Sequence, residues 1–148
     1  MDGLTIRLLG PDDGHVLDDL DPDVFDGPLR PDATAAVLAD PAHLLAVALA
    51  GTRVVGMGSA VVITEPDKRP VLYVDEVGTA DAYQRRGIAT ALMAALLDAG
   101  RQRGCTEAWL MTEAENAPAR AFYRAIGGTE AQRPVYITFD LSAPTDAP

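Results

Sequence analysis

The chain has 148 residues, the length of one ordinary domain, and 48% of them are hydrophobic while 23% are charged. This is the composition of a globular protein. The formal net charge is −10, and residues 1–40 alone contain ten aspartates against Arg7 and Arg30. The imbalance argues against a nucleic-acid partner and favours a cationic one, although a solvated acidic surface explains it equally well. Cys105 is the only cysteine, which excludes an intrachain disulfide. The two histidines are far apart in the sequence, so no metal site is predicted.

The N-terminal residues MDGLTIRLLGPDDG contain no basic segment followed by an apolar run, so no secretory signal is predicted. No uninterrupted apolar stretch reaches the ~20 residues that span a membrane. The sequence therefore predicts a cytoplasmic protein without a membrane partner.

The first half of the chain predicts a strand, two short helices and a hairpin. The segment LTIRLL (4–9) alternates as a strand does, and a helix capped by Asp12 or Asp13 follows it. A turn-rich connection leads to a second short helix, which Asp32 is expected to cap. The apolar, β-branched run over 44–63 is divided by Gly-Thr and predicts two hairpin strands.

The second half predicts strands that alternate with helices. Residues 71–79 form a strand, and an apolar-faced helix begins after the QRRG that follows it. A strand over 106–113, a helix over 116–126 and a last strand over 134–141 complete the order β-αα-βββ-α-β-α-β. The sequence therefore predicts one α/β domain over 1–141 with a mixed sheet, and a flexible tail over 142–148.

The segment QRRGIAT, between a strand and a helix, has the features of an anion site. The only lysine, Lys68, lies in a loop, which excludes a P-loop, and the glycines at 56 and 58 lack the third glycine of a dinucleotide fingerprint. Gly87 and Ala89 leave the backbone accessible, and unpaired N–H groups of a first helical turn favour a diphosphate. Arg85 and Arg86 add positive charge, unless one of them points to solvent.

Two linked motifs carry a family resemblance. DEVGTADAYQRRGIATALMAAL resembles the signature segment of the GNAT superfamily of acetyl-CoA-dependent N-acetyltransferases, and NAPARAFYRAIG resembles its second signature. In that second motif Asn116, Ala119, Tyr123 and Gly127 match the pattern Asn-x2-Ala-x3-Tyr-x3-Gly. Gly128 departs from the family, which usually has an aromatic residue there. The element order agrees as well, so the resemblance covers nearly the whole chain.

The resemblance implies a single-domain GNAT-like fold, with a mixed, mostly antiparallel sheet whose splayed central strands are flanked by helices. It implies acetyl-CoA as co-substrate, with the pantetheine arm between strands 71–79 and 106–113 and the diphosphate at the anion site. The main chain of Val77 and Thr79 would pair with the arm, and Asn116 would hydrogen-bond it. The expected cofactor-binding residues are Val77, Thr79, Gln84, Arg85, Arg86, Gly87, Ile88, Ala89, Thr90 and Asn116.

The resemblance also implies two catalytic side chains. Glu76 occupies the position where many members carry the base that deprotonates the amine, and Tyr123 is the expected acid for the departing thiolate. The alternative for Glu76 is a polar residue at an exposed strand end, and for Tyr123 a half-buried helix residue. Strand alternation places Asp75 on the face opposite Glu76.

Within the superfamily the chain is most similar to the aminoglycoside 3-N-acetyltransferases, through RRGIATALM, a late FDL strand and two short N-terminal helices. This implies acetyl transfer to a primary amine of a small polycation, an aminoglycoside antibiotic. The alternatives are another small amine, a peptide amine, or a non-catalytic acyl-CoA sensor, and a homodimer stays open. The expected substrate contacts are Asp21, Asp23, Asp26, Asp75 and Asp140.

Overall fold

The computed structural model describes residues 3–132 and 135–142. The chain divides into two compact units, Met1–Met111 and Thr112–Pro148. Among the described residues, the first unit contains the sheet and two α-helices, and the second contains one α-helix. In the part of the chain that the structure describes, no helix combines the length and apolarity that crossing a bilayer requires.

The sheet has five strands in the order β1-β2-β3-β4-β5, as their order along the chain. The strands are β1 (Leu4–Leu8), β2 (His43–Ala50), β3 (Arg53–Ile63), β4 (Val71–Thr79) and β5 (Ala108–Trp109). The first three junctions are antiparallel and the last is parallel. The predicted mixed, mostly antiparallel sheet is therefore confirmed.

β4 and β5 pair over only two residues, Leu72 and Tyr73 with Ala108 and Trp109. The remainder of β4, from residue 74 to 79, has no β5 partner among the described residues. The resemblance implied central strands that splay apart; the pairing does end after Tyr73, but β5 is much shorter than the expected 106–113.

Two α-helices and two 3-10 turns complete the first unit. The helices are α1 (Pro31–Ala39) and α2 (Ile88–Gln102), and the turns span Gly14–Asp18 and Asp81–Tyr83. Asp13 precedes the turn Gly14–Asp18, as one of the two alternatives predicted, but neither it nor Asp32 caps a helix with its side chain. The carboxylate of Asp13 pairs with Arg7 and accepts the Gly10 N–H at 2.8 Å, and Asp32 lies inside the first turn of α1. Each carboxylate lies near a helix start, but neither occupies the geometry of a cap.

α2 packs against the sheet through a fully buried stripe of Ile88, Leu92 and Leu96. Two glycines of β3 allow this close approach. A Cβ at Gly56 would lie 2.9 Å from Ile88 Cγ2, and one at Gly58 would lie 3.0 Å from Leu96 Cδ1. The first turn of α2 is thereby held against β3, beside the end of β4 at Thr79, which pairs with Gly56.

On the other face of the sheet, a second cluster of apolar residues joins the N-terminal turn, α1 and β2–β3. Its buried members include Leu17, Val24, Leu38, Val47 and Met57. The segment from Asp19 to Arg30 is anchored there by main-chain hydrogen bonds: the Val54 N–H donates to the Asp19 carbonyl and the Asp21 N–H to the Val54 carbonyl, both at 2.9 Å. This irregular segment is therefore fixed against the sheet.

The second unit contains α3 (Ala117–Ala125), whose N-cap Asn116 accepts the Ala119 N–H at 3.2 Å. After the helix, the Gly128 N–H donates to the Tyr123 carbonyl at 2.9 Å, and a Cβ at Gly128 would stand 2.9 Å from that same oxygen. This close contact with the Tyr123 carbonyl explains why position 128 carries no aromatic side chain. In this conformation the chain has room for glycine only.

The predicted last strand over 134–141 is wrong for the residues that are described. Residues 135–141 have no strand structure, and Pro134 lies outside the described residues. Their apolar side chains are 70–90% exposed: Val135, Tyr136, Ile137, Phe139 and Leu141. An apolar, β-branched pattern is typical of a strand, but a strand also needs a neighbouring edge to pair with. Most of the predicted tail lies outside the described residues.

Candidate active site

Glu76 lies at a β-bulge in β4. Ser59 of β3 pairs with Glu76, whereas the next residue, Ala60, pairs with Val74. Asp75 is therefore an extra residue without a partner in β3. At such a bulge the simple alternation of side chains between the two faces is interrupted.

The neighbouring residues define which face Glu76 occupies. Val77 pairs with Gly58, the glycine that packs under α2, so Val77 faces α2 and Glu76 faces away from it. Tyr73 follows Leu72, whose side chain lies against Gly100 of α2, so Tyr73 also faces away.

Asp75 lies on the same side as Glu76. The Tyr73 hydroxyl donates to Asp75 Oδ1 at 3.1 Å, and the Tyr73 ring packs on Trp109 with centroids 4.5 Å apart. The expectation that Asp75 points to the face opposite Glu76 is therefore wrong. The bulge turns two consecutive carboxylates toward one side.

Three effects raise the pKa of the Glu76 carboxyl above its ordinary value. Partial burial contributes most, followed by the negative charges of Asp26 and Asp75. A carboxylate with a raised pKa is a stronger base when it is ionised. The same effects place Asp26 within electrostatic reach of Glu76.

A cavity of about 350 Å³ lies on this side of the sheet, between the segment 25–30, α1 and the strands β2 and β3. Ser59, the register partner of Glu76, is part of its wall, and so is Asp26. The volume falls within the range of small-molecule sites. The cavity and the carboxylate of Glu76 are therefore neighbours.

The predicted acidic contacts separate into two groups. Asp26 and Asp75 are brought together with Glu76. Asp21 instead faces Arg53 at 3.6 Å and accepts the Asp23 N–H at 3.2 Å, and Asp23 is exposed. Asp140 belongs to the second unit, where it accepts the Ser142 N–H at 2.9 Å. Of the predicted substrate contacts, Asp26 and Asp75 are therefore the two that the structure places near Glu76.

The anion site, residues 84–90, has an unusual backbone. Gly87 is the N-cap of α2 with φ +79°, and Arg85 has φ +61°, a left-handed conformation that is strained for a residue with a side chain. The following N–H groups of the first helical turn have no carbonyl one turn earlier to bond. Main-chain N–H groups in such a conformation are suited to form a concavity for an anion.

The two arginines of this site differ in how firmly they are held. Arg86 lies 5.0 Å above the Tyr83 ring and donates to the Ala82 carbonyl at 3.1 Å. The side chain of Arg85 is exposed and has no ion pair or hydrogen bond with any described residue. Gln84 donates to Asp81 at 2.7 Å, which ties the loop to the preceding turn. Arg85 is therefore the arginine that can turn toward a ligand.

The residues present fit a cofactor with a diphosphate and an amide-bearing arm. A Cβ added at Gly87 would meet nothing within 4 Å, so the approach to the first helical turn is open. The main chain of β4 beyond Tyr73 has no β5 partner in the described chain, which leaves an edge for an extended arm. Thr79 Oγ1 is also buried without a hydrogen-bond partner among the residues described.

Two predicted residues, Asn116 and Tyr123, lie in the second unit. Burial raises the pKa of the Tyr123 hydroxyl, which therefore stays protonated at neutral pH. Its ring packs on Phe122 at a centroid distance of 5.0 Å. Asn116 uses Oδ1 to cap α3, which leaves its amide NH₂ as the group for a ligand.

Sequence reasoning missed most of the cavity wall. Ser59 is a small polar residue within an apolar hairpin strand, and this was the one visible signal. The sequence around Phe25 and Leu29 predicts only turns, because their burial against the sheet depends on tertiary packing. Among residues 3–132 and 135–142, no three His, Cys, Asp or Glu side chains are arranged so that they could hold a metal ion.

The chain belongs to the acetyltransferase (GNAT) family, whose model matches residues 13–127. Over 60 residues it is 42% identical to the ribosomal protein bS18-alanine N-acetyltransferase of Escherichia coli (strain K12), covering 39% of this chain and 40% of the relative. Over 70 residues it is 29% identical to the aminoglycoside N(6')-acetyltransferase type 1 of Salmonella typhimurium (strain LT2), covering 47% and 48%. The chain thus spans less than half the length of these curated relatives.

Solved structures share the fold across nearly the whole chain. An aminoglycoside acetyltransferase from an uncultured soil metagenomic sample, in complex with sisomicin, has a TM-score of 0.78 at 19% identity, covering 94% of this chain and 97% of that one. AAC(6')-Iy with the bisubstrate analogue CoA-S-monomethyl-acetylneamine has a TM-score of 0.75 at 22% identity, covering 93% and 98%. The predicted family and fold are confirmed. Two of these aminoglycoside acetyltransferases, the Salmonella typhimurium enzyme and AAC(6')-Iy, carry the 6' designation, whereas the sequence resemblance pointed to 3-N enzymes.

Proposed function

We propose that the protein is an N-acetyltransferase that moves an acetyl group from acetyl-CoA directly to a primary amine, with Glu76 as the base. One observation carries this proposal: a carboxylate with a raised pKa stands at a bulge of β4, beside a cavity of small-molecule size. The family to which the chain belongs supports it.

The cofactor is assigned to the start of α2 and to the edge of β4 that β5 leaves unpaired in the described chain. The N–H groups of residues 84–90 would hold the diphosphate, with Arg85 and Arg86 adding charge, and the main chain of Val77 and Thr79 would pair with the pantetheine arm. The amide of Asn116 is assigned to the same arm. When bound, acetyl-CoA supplies a thioester that is activated toward amines.

The acceptor amine needs a base. An alkylammonium with a pKa near ~10.4 is neutral in only about one molecule in a thousand at pH 7. Glu76 accepts the proton that the nitrogen gives up as the C–N bond forms. Tyr123, protonated at this pH, donates a proton to the sulfur as the C–S bond breaks.

The named relatives suggest an aminoglycoside as one acceptor, and this would make the protein an antibiotic-resistance enzyme. The aspartates of residues 1–40, the carboxylates of Asp26 and Asp75 beside Glu76, and the named aminoglycoside relatives support it. In this assignment Asp21, Asp23 and Asp140 hold the distal ammonium groups. A different small amine or a peptide amine is the second candidate, because the cavity wall is largely apolar.

The decisive experiment is thiol release from acetyl-CoA over a panel of aminoglycosides, polyamines, small monoamines and peptides. We expect turnover with at least one class. Glu76→Gln should lower kcat by ~10²-fold near neutral pH, and the loss should shrink at high pH, where free amine is abundant. Asp75→Asn is the matched control at the adjacent position and should have a much smaller effect.

Two outcomes would contradict this account. Binding of acetyl-CoA without turnover of any amine would identify the protein as an acyl-CoA sensor. A severe defect in Asp75→Asn with a mild one in Glu76→Gln would move the base to Asp75. Tyr123→Phe should slow turnover while leaving the affinity for acetyl-CoA nearly unchanged, as expected of a group that acts on the leaving sulfur.

A further inference from the structure

The cavity beside Glu76 has an apolar wall and a charged rim. Its polar lining residues are Thr34 and Ser59, and its charged ones are Asp26 and Arg30. The side chains that form most of its surface are Leu17, Phe25, Leu29, Val37, Leu45 and Met57.

The apolar wall is part of the folded core. Leu17, Leu45 and Met57 are buried members of the cluster on this face of the sheet, and Phe25 and Leu29 pack against it. Because these side chains are fixed by their own packing, the cavity is largely preformed. A ligand group that enters it contacts hydrocarbon on several sides.

Asp26 is the acidic residue in the cavity lining, and the charges of Asp26 and Asp75 both act on Glu76. At the rim, Arg30 already pairs with Asp32 at 3.1 Å, so this pair adds little net charge. The cavity thus offers one negatively charged position for an ammonium group.

A polycation fits this arrangement poorly. With one ammonium at Glu76, further ammonium or hydroxyl groups would face leucine, valine and methionine side chains and lose their hydration without gaining partners. An alkyl or aryl group in the same place would be transferred from water to an apolar wall, which is favourable.

We propose that the preferred acceptor is a primary amine with one positive charge and an apolar alkyl or aryl substituent. The ammonium group lies toward Asp26 and Glu76, and the substituent fills the space between Phe25, Leu29 and Val37. This inference rests on the proposed acetyltransferase function and narrows its acceptor to one chemical class.

A homologous series of acceptors tests the proposal. The specificity constant, kcat/KM, should rise by about fourfold per methylene from ethylamine upward until the cavity is filled. Diamines and amino alcohols of equal length should be at least ~10-fold poorer than the corresponding alkylamine, because their distal polar group meets the apolar wall. Aminoglycosides should be poorer still.

Ala33 offers a way to alter the cavity without disturbing the core. It lies on α1, lines the cavity and is exposed, so Ala33→Phe should fill space there. The loss in kcat/KM should grow with chain length and reach ~10-fold or more for octylamine. Ala35→Phe is the matched control, because Ala35 is exposed on the same helix and is not part of the lining.

The outcomes distinguish this inference from the function on which it rests. Turnover of aminoglycosides with a flat or falling alkylamine series would overturn the acceptor class and leave the acetyltransferase function standing. No thiol release from any amine would overturn the function. In that case, calorimetry still tests whether the cavity binds an alkyl amine. Octylamine is titrated into wild type and Ala33→Phe in the presence of coenzyme A. Equal affinities, or no binding to wild type, would refute the proposed acceptor class.

Discussion

Gly56→Ala should loosen the contact that holds the start of α2 against the sheet. The new Cβ would lie 2.9 Å from Ile88 Cγ2, 3.2 Å from the Gly78 carbonyl oxygen and 3.4 Å from Leu92 Cδ1. Overpacking of this kind costs about 1–3 kcal/mol. Alanine also restricts the unfolded chain, which offsets ~0.4–1 kcal/mol. We therefore expect a net loss of about 1–2 kcal/mol and, for a chain of this size, a Tm lower by about 2–8 °C.

This substitution should also reduce the affinity for coenzyme A, because Ile88 is the first residue of α2 and belongs to the anion site. Thermal unfolding and calorimetric titration with coenzyme A measure the two effects. Gly58→Ala is the control: its Cβ would approach the far end of Leu96 at 3.0 Å and otherwise keep 3.7 Å or more from its neighbours. That variant should bind coenzyme A normally. An unchanged Tm and affinity in Gly56→Ala, or a larger effect in Gly58→Ala, would refute the reasoning.

Two further predictions concern stability. Because the pKa of Glu76 is raised in the folded state, the folded protein holds this proton to higher pH than the unfolded chain, and stability is lost as the pH rises through that interval. Glu76→Gln should therefore raise the Tm at pH 7 more than at pH 4, and an equal shift at both pH values would show that the carboxyl is not perturbed. Gly128→Ala should destabilise by about 1–3 kcal/mol in urea unfolding, since its Cβ would stand 2.9 Å from the main-chain oxygen of Tyr123, and a neutral result would mean that this turn can relax.

The elements with strong local signals were predicted well. The strand over 71–79 has the bounds of β4, and the run over 44–63 forms β2 and β3 around the turn at Gly51, whose φ is +63°. The helix predicted after QRRG begins at Ile88, directly after Gly87. In each case a continuous apolar pattern or a special backbone position fixes the structure within a few residues.

The features that depend on distant partners were not predictable. The bulge at Asp75 comes from the register between β3 and β4, and one strand's sequence does not contain that register. The position of Asp26 depends on how the segment from Asp19 to Arg30 is tied to β3. The same limit applies to residues 135–141, whose pattern suits a strand although no described strand pairs with them.

The most direct test of the central claim is the pH dependence of kcat/KM for a weakly basic acceptor such as 2,2,2-trifluoroethylamine. When kcat/KM is expressed for the neutral fraction of this amine at each pH, the titration of the amine itself is removed, and the acidic limb that remains reports an enzyme group. We predict a limb at an apparent pKa above that of an ordinary glutamate, which moves to lower pH in Asp26→Asn because one of the charges that raise the pKa of Glu76 is removed. In Glu76→Gln the limb should disappear and the rate should fall. Retention of the same limb in Glu76→Gln would show that another group is the base.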